Sequence, residues 1–354
     1  MSDGPRANLA REFVGLPSPN MPRAGAGGHP CQGLYWTAEG TKPKVALIAT
    51  HYNVDFAEHY LAPYFARRGF GFLGWNTRYR GAEDLFHLEH AIADIGVGVK
   101  WLRGRGAATI VLLGNSGGGS LMAAYQAEGA PKGDLYISLN AHPGRPEVLT
   151  NWMDASVVDE TDPVATDPSL DPFAQHLPFT DEFVVRYRAA QVARNRRITD
   201  WAKSELARLK AAGIPDRIFP LFRTWADLRF IDPAQEPTER PCPGCYAGPP
   251  EIANRSPFGI GRACTLRAWL SMWSLETSRA RGAPHLAKLA VPSLVVQSMA
   301  DMGVFPSDAR NIFANIVAAD KTLELVPGAH YFEDSEEHRE AAADLMAAWI
   351  KERI

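Results

Sequence analysis

The run Thr109-Ile110-Val111-Leu112-Leu113 stops on Gly114-Asn115-Ser116-Gly117-Gly118, and Gly119-Ser120-Leu121-Met122-Ala123-Ala124 follows without a break. Few backbone paths fit that order. A short, almost wholly apolar run reads as a strand buried on both faces. The small residues after it read as a helix able to pack close. Between the two, Gly-x-Ser-x-Gly leaves no room for a loop. The chain must turn from strand to helix on the serine itself, holding the hydroxyl out of the sheet. Gly114 and Gly118 flank the turn because a side chain at either place would crowd a strained backbone.

The surrounding pattern gives this elbow a setting. Up to about Lys42 the chain is rich in Pro and Gly, and only Leu34-Tyr35-Trp36 reads as a strand. Strand and helix patterns then alternate: strand 45–49, helix 58–68, strand 70–75, helix 85–103, strand 109–113, helix 121–127 and strand 135–139. Apolar strands alternating with helices predict an α/β fold, a parallel sheet covered on both faces. From His142 to about His285 the alternation stops. A Pro/Asp-rich connection leads there into a long helix, 181–212, carrying Arg186, Arg188, Arg194, Arg196 and Arg197, and then into an aromatic-rich stretch. The rhythm resumes with strand 292–297, helix 307–317, strand 322–326 and helix 336–353. One core, 1–141 with 286–354, is thus expected to carry an inserted, mainly helical segment, 142–285.

Composition excludes several function classes. The 354 residues carry 37 basic and 40 acidic side chains, a net charge of −3, which gives no electrostatic case for nucleic acid or an anionic membrane. The arginines of the long helix are interleaved with acidic residues and read as a solvated or ion-paired face. No apolar run reaches the roughly 18 residues of a membrane span. The start, Met1-Ser2-Asp3-Gly4-Pro5-Arg6, lacks the apolar stretch of a signal peptide, so a cytoplasmic location is expected. Cys242-Pro243-Gly244-Cys245 has C-x-x-C spacing, but Cys31 and Cys264 supply no second pair, and it lies in a Pro/Gly-rich loop. It reads as a loop turn rather than a metal or redox site.

A serine hydroxyl needs a base to become nucleophilic, and the base needs an orienting acid. Asp301 lies a short loop beyond strand 292–297, and His330 lies just past strand 322–326 in Val326-Pro327-Gly328-Ala329-His330. Both fall beyond the carboxyl ends of strands, the edge where open α/β sheets bind ligands. Asp84 and Asp134 are rival acids in less suitable places.

With these three residues in the order Ser116, Asp301, His330, the core resembles the α/β-hydrolase superfamily, and the insertion looks like the cap many members carry. The resemblance implies Ser116 as nucleophile, His330 as base, Asp301 as acid and the backbone N–H of Gly117 as one oxyanion donor. A second donor is expected from the loop His51-Tyr52-Asn53, where many relatives have His-Gly; it is Asn53 or Tyr52. His51 either touches substrate or braces the turn, and His142 either lines the pocket or hinges the cap. Asn115 shapes the pocket or bonds within the elbow, and Trp225, with Phe222, Trp269 and Trp273, is a candidate apolar wall. The implied activity is cleavage of a carboxylic ester of an apolar or aromatic small molecule through an acyl-enzyme, with no cofactor and no metal. Lactone, amide or carbon–carbon hydrolysis and acyl transfer are alternatives on the same three residues, and a non-catalytic receptor is a further one. The oligomeric state, homo-oligomer or monomer, is left open.

Overall fold

The computed structural model describes residues 8–24 and 28–354. The opening residues that bear on a signal peptide lie outside this range. An eight-stranded sheet organises the chain. In chain order its strands are β1 (Leu9–Leu16), β2 (Cys31–Ala38), β3 (Val45–Ala49), β4 (Gly71–Asn76), β5 (Thr109–Asn115) and β6 (Leu135–Leu139). After β7 (Ile218–Pro220) and β8 (Ala263–Thr265), which form a small antiparallel pair of their own, the main sheet resumes with β9 (Ser293–Ser298) and β10 (Lys321–Val326). The order across the main sheet is β1-β2-β4-β3-β5-β6-β9-β10, antiparallel in the β1–β2 and β2–β4 pairs and parallel from β4 onward.

Both faces are covered, as the apolar strands require. On one face Ile48, Ile110, Leu112 and Tyr136 pack with residues of helices α2 (Leu88–Gly104) and α3 (Gly118–Glu128). On the other face Leu47, Val111, Leu113 and Ile137 pack with α1 (Ala62–Arg67) and the closing helix Glu336–Lys351. In the sheet order β3 lies between β4 and β5, so the connection from β3 to β4 runs to one side and the next, from β4 to β5, crosses back to the other. The crevice at the carboxyl end of β3, beside that of β5, is the switch point where such sheets bind ligands.

Two sequence expectations need correction. The N-terminal arm holds a full strand, β1, which sequence patterning missed because it is an edge strand with half its residues exposed, Phe13 among them. Helix 58–68 begins only at Ala62. Pro63 has no N–H to donate and fits only the first turn, so the residues before it form turns instead. The insertion between β6 and β9 is mainly helical, as expected, with β7 and β8 pairing within it. Its long helix runs Asp181–Ala211 and starts at a Thr180 cap whose hydroxyl accepts from the Phe183 N–H. Along it Arg188 pairs with Asp227, and Arg194 and Arg197 pair with Glu160, while Arg186 donates to the Ser169 carbonyl. Among the described residues no helix is long and apolar enough to cross a membrane.

Asn140, directly after β6, ties the strand ends together. Its side chain accepts from the Ser298 N–H at 2.7 Å and donates to the His330 carbonyl at 2.7 Å, and its φ is +43°, a region Asn tolerates. Asn140→Ala leaves both buried backbone groups unpaired. We expect a loss of roughly 2–6 kcal/mol, about 1–3 per group, read from urea denaturation. A loss below about 0.5 kcal/mol would show that these bonds do not hold the sheet edge.

Candidate active site

Ser116 sits at the carboxyl end of β5 with φ +56°, the left-handed region a non-glycine residue adopts only under constraint. The constraint is visible. Its N–H donates to the carbonyls of Leu139 and Asn140, both at 3.1 Å, while its own carbonyl accepts from Gly119 and His142. The flanking glycines are required by close approach. A Cβ on Gly118 would collide with the Thr50 carbonyl, and one on Gly114 would stand 2.6 Å from the Gly119 Cα.

Asp301, in the loop after β9, and His330, in the loop after β10, meet at this edge. His330 Nδ1 is 2.6 Å from Asp301 Oδ2. The other carboxylate oxygen accepts from the N–H groups of Gly303 and Val304 at 2.8 and 3.0 Å and from the Tyr246 hydroxyl at 2.7 Å. Tyr246 also lies 2.8 Å from His330 Nδ1. The aspartate is therefore fixed from both sides, and the imidazole through it. His330 Nε2 is buried and has no hydrogen-bond partner among the described residues. The Ser116 hydroxyl instead partners Tyr331, whose phenol is pushed up to about 12, chiefly by burial. The Ser116–His330 hydrogen bond is thus open in this state, as it often is before substrate binds. The rival carboxylates lie elsewhere, Asp134 bonded to Arg103 at 2.6 Å and Asp84 in a surface turn before α2.

A cavity of about 420 Å³ joins these groups. Ser116, His330, Tyr331 and Tyr246 line it, with His51, Asn53, His142 and Arg145 from the sheet edge and Trp152, Trp225 and Ile260 from the insertion. His51, His142 and Trp225 line this cavity. Asn115 does not. Neighbouring residues of a strand point to opposite faces, so its amide turns from the cavity to His59 Nε2 at 3.2 Å and the Leu139 carbonyl at 3.0 Å. Trp269 and Trp273 are fully buried core, and Phe222 lines a separate cavity. Trp152 takes the wall position instead, its ring 4.9 Å from that of Trp225. In the His51–Asn53 loop the Asn53 N–H donates to His51 Nδ1 at 3.3 Å, whereas the Tyr52 N–H has no acceptor among the described residues. Cys242 and Cys245 are free thiols in the loop that carries Tyr246. Among the described residues no cluster of three metal-ligating side chains exists.

With this geometry in view, known structures can be compared. No family model matches the sequence, and no curated protein matches it either. Solved structures do. The α/β hydrolase GrgF from Penicillium sp. sh18 superposes with a TM-score of 0.54 at 11% identity, covering 96% of this chain and 97% of that one. The Pyrococcus furiosus esterase Pf2001 gives 0.49 at 10% identity, covering 97% and 93%. The Paleococcus ferrophilus monoacylglycerol lipase gives 0.47 at 14%, covering 97% and 98%. The likeness to GrgF carries the point: this chain has the α/β-hydrolase fold.

The buried histidines give a pH signature. Burial pushes His59 down to about 3, and burial followed by the Arg145 charge holds His51 and His142 well below the usual imidazole range. Each stays neutral in the folded protein while its unfolded counterpart takes a proton below about pH 6.5. The unfolded state then binds more protons, so stability falls on acidification by up to about 1.4 kcal/mol per pH unit for each histidine. Urea denaturation between pH 7.5 and 5.5 should show a flatter slope for His59→Gln than for the parent. Identical slopes would mean that His59 is protonated in the fold.

Proposed function

We propose that the protein is a serine hydrolase that cleaves a carboxylic ester. The observation that carries the reading is the meeting of Ser116, on its strained elbow, with the His330–Asp301 pair around one cavity. Ser116 Oγ attacks the ester carbonyl and His330 Nε2, free of other partners, takes its proton. This requires the hydroxyl to swing from Tyr331 to His330. Asp301 holds the imidazole in the tautomer that leaves Nε2 unprotonated. The imidazolium gives that proton to the departing alcohol, leaving the acyl group on Ser116; His330 then takes a proton from a water whose oxygen attacks the acyl carbon, and returns it to Ser116 Oγ as the acid leaves.

Negative charge developing on the carbonyl oxygen meets the Gly117 N–H, which follows the nucleophile, and a second N–H from the loop after β3. The free Tyr52 N–H supports Tyr52 over Asn53 for that second role. Such preorganised donors are often the largest single contribution to catalysis. The insertion acts as a cap. Supporting this, Trp152, Trp225 and Ile260 form apolar walls over the nucleophile, and Tyr246 reaches down to the His–Asp pair. The cavity suits an apolar or aromatic ester of moderate size.

Two variants test the chemistry. Ser116→Ala should lower turnover of an aryl acetate by about four or more orders of magnitude, with the fold retained. A fluorophosphonate should label the parent at Ser116, as read by peptide mass spectrometry. Label on another serine would end the proposal. Tyr246→Phe removes one donor to the aspartate while the backbone donors stay. Bonds to charged groups contribute about 1.5–3 kcal/mol, so we expect kcat to fall at least about tenfold with KM little changed. Unchanged kcat would show that Tyr246 does not position the pair.

A further inference from the structure

Arg145, the first residue of α4 (Arg145–Trp152), is the unusual group in the cavity. Its side chain is only 4% exposed. A guanidinium has five N–H donors, yet this one makes no side-chain hydrogen bond to any described residue, and its Nε is buried without a partner. Its ion-pair partner is Glu83 at 3.7 Å, beyond hydrogen-bonding distance. The oxygens of Glu83 are already engaged, one by the Asn53 side-chain amide at 2.8 Å and the other by the Gly261 N–H at 3.1 Å. The rings of Tyr52 and Trp273 hold the guanidinium in place, with centroids 5.1 and 4.6 Å from its carbon. It is close to the reacting centre: Nη1 would stand 2.9 Å from a Cβ on Gly117.

A charge taken out of water is normally repaid by hydrogen bonds. Here the protein fixes the cation rigidly between two rings and leaves its donors unused, facing the substrate cavity. We infer that Arg145 receives a carboxylate carried by the substrate, so that the preferred ester is one of an acidic molecule. The planar fork of a guanidinium matches a carboxylate, and a buried pair of this kind is stronger than one in water. Burial lowers the Arg145 pKa, a strain that an anionic partner would relieve. The other acidic group lining the cavity, Glu333, stands exposed at the rim and accepts from the Tyr331 N–H, while Asp301, behind His330, is bound by His330 and Tyr246. Neither is an ion-pair partner of Arg145.

This inference rests on the esterase reading, and the experiment separates the two. Two matched pairs of esters serve as probes: phenyl hydrogen glutarate with phenyl methyl glutarate, and 3-acetoxybenzoate with its methyl ester. Within each pair only the carboxylate differs. Wild-type protein should favour the anionic member of at least one pair by tenfold or more in kcat/KM, and the preference should shrink as salt rises. In Arg145→Met the ratio for that pair should collapse toward one, mainly through KM for the anionic ester, and Arg145→Lys should keep part of it. Glutarate binding, read by calorimetry, should be lost in Arg145→Met.

Turnover of the neutral esters without preference for either anionic one overturns the carboxylate inference and leaves the esterase reading standing. An Arg145→Met protein that loses equally on both members of each pair overturns it too, and makes the arginine a general stabiliser of charge at the carbonyl oxygen. Turnover of none of the four, with glutarate still bound through Arg145, supports the inference and removes the esterase reading. Because the wild-type comparison needs no variant, the inference stays testable if Arg145→Met does not fold.

Discussion

The site depends on a single buried residue that is neither acid, base nor nucleophile. Asn140 accepts from Ser116 through its carbonyl, donates to the Val296 carbonyl through its N–H, and holds Ser298 and the His330 carbonyl through its side chain. The ends of β5, β6, β9 and the loop beyond β10 are thereby fixed to one amide. Parallel strands can slide relative to their neighbours' loops, since side-chain geometry beyond the last ladder bond is not set by the sheet. Here the last ladder bonds are followed at once by these four. A displacement of the β10 loop would strain the elbow carrying Ser116, because both hang on Asn140.

How much was legible in the sequence follows from what each residue depends on. Strands buried on both faces leave uninterrupted apolar runs, so β3, β5, β6 and β9 could be read directly, and with them the residues that follow each strand. Ser116 and Asp301 lie just past such strands, whereas His330 follows β10, which has no fully buried residue; Asp301 and His330 stand 2.6 Å apart. Strand β1 was hidden because an edge strand with one buried residue and four exposed ones has no apolar pattern to read. Asn140 was hidden for another reason: an asparagine after a strand looks like any turn residue, and its four bonds join the elbow at Ser116, strand β9 and the loop of His330, all distant in sequence.

The insertion was the least legible part. Its aromatics carry no mark of whether they face a cavity or a core. Trp269 and Trp273 are wholly buried, while Trp152 and Trp225 form walls, and only packing separates the two pairs. Tyr246 was missed for the same reason. It sits next to Cys245 in a Pro/Gly-rich turn, and its hydroxyl gains meaning only where that turn meets the His–Asp pair.

The electrostatics of the cleft then follow from one cation. Arg145 holds His51 and His142 below the usual imidazole range, second only to burial, so both rings stay neutral beside the nucleophile. A protonated ring at either place would compete for the same acceptors as the oxyanion donors. The cation, held between Tyr52 and Trp273, adds to burial in keeping the rings neutral. Burying that cation costs stability, and an apolar residue of similar volume would pack there at less cost. Where a fold keeps such a locally unfavourable choice, the compensation is expected in function rather than in packing. The unused donors of Arg145 point to the cavity as the place where that compensation is found.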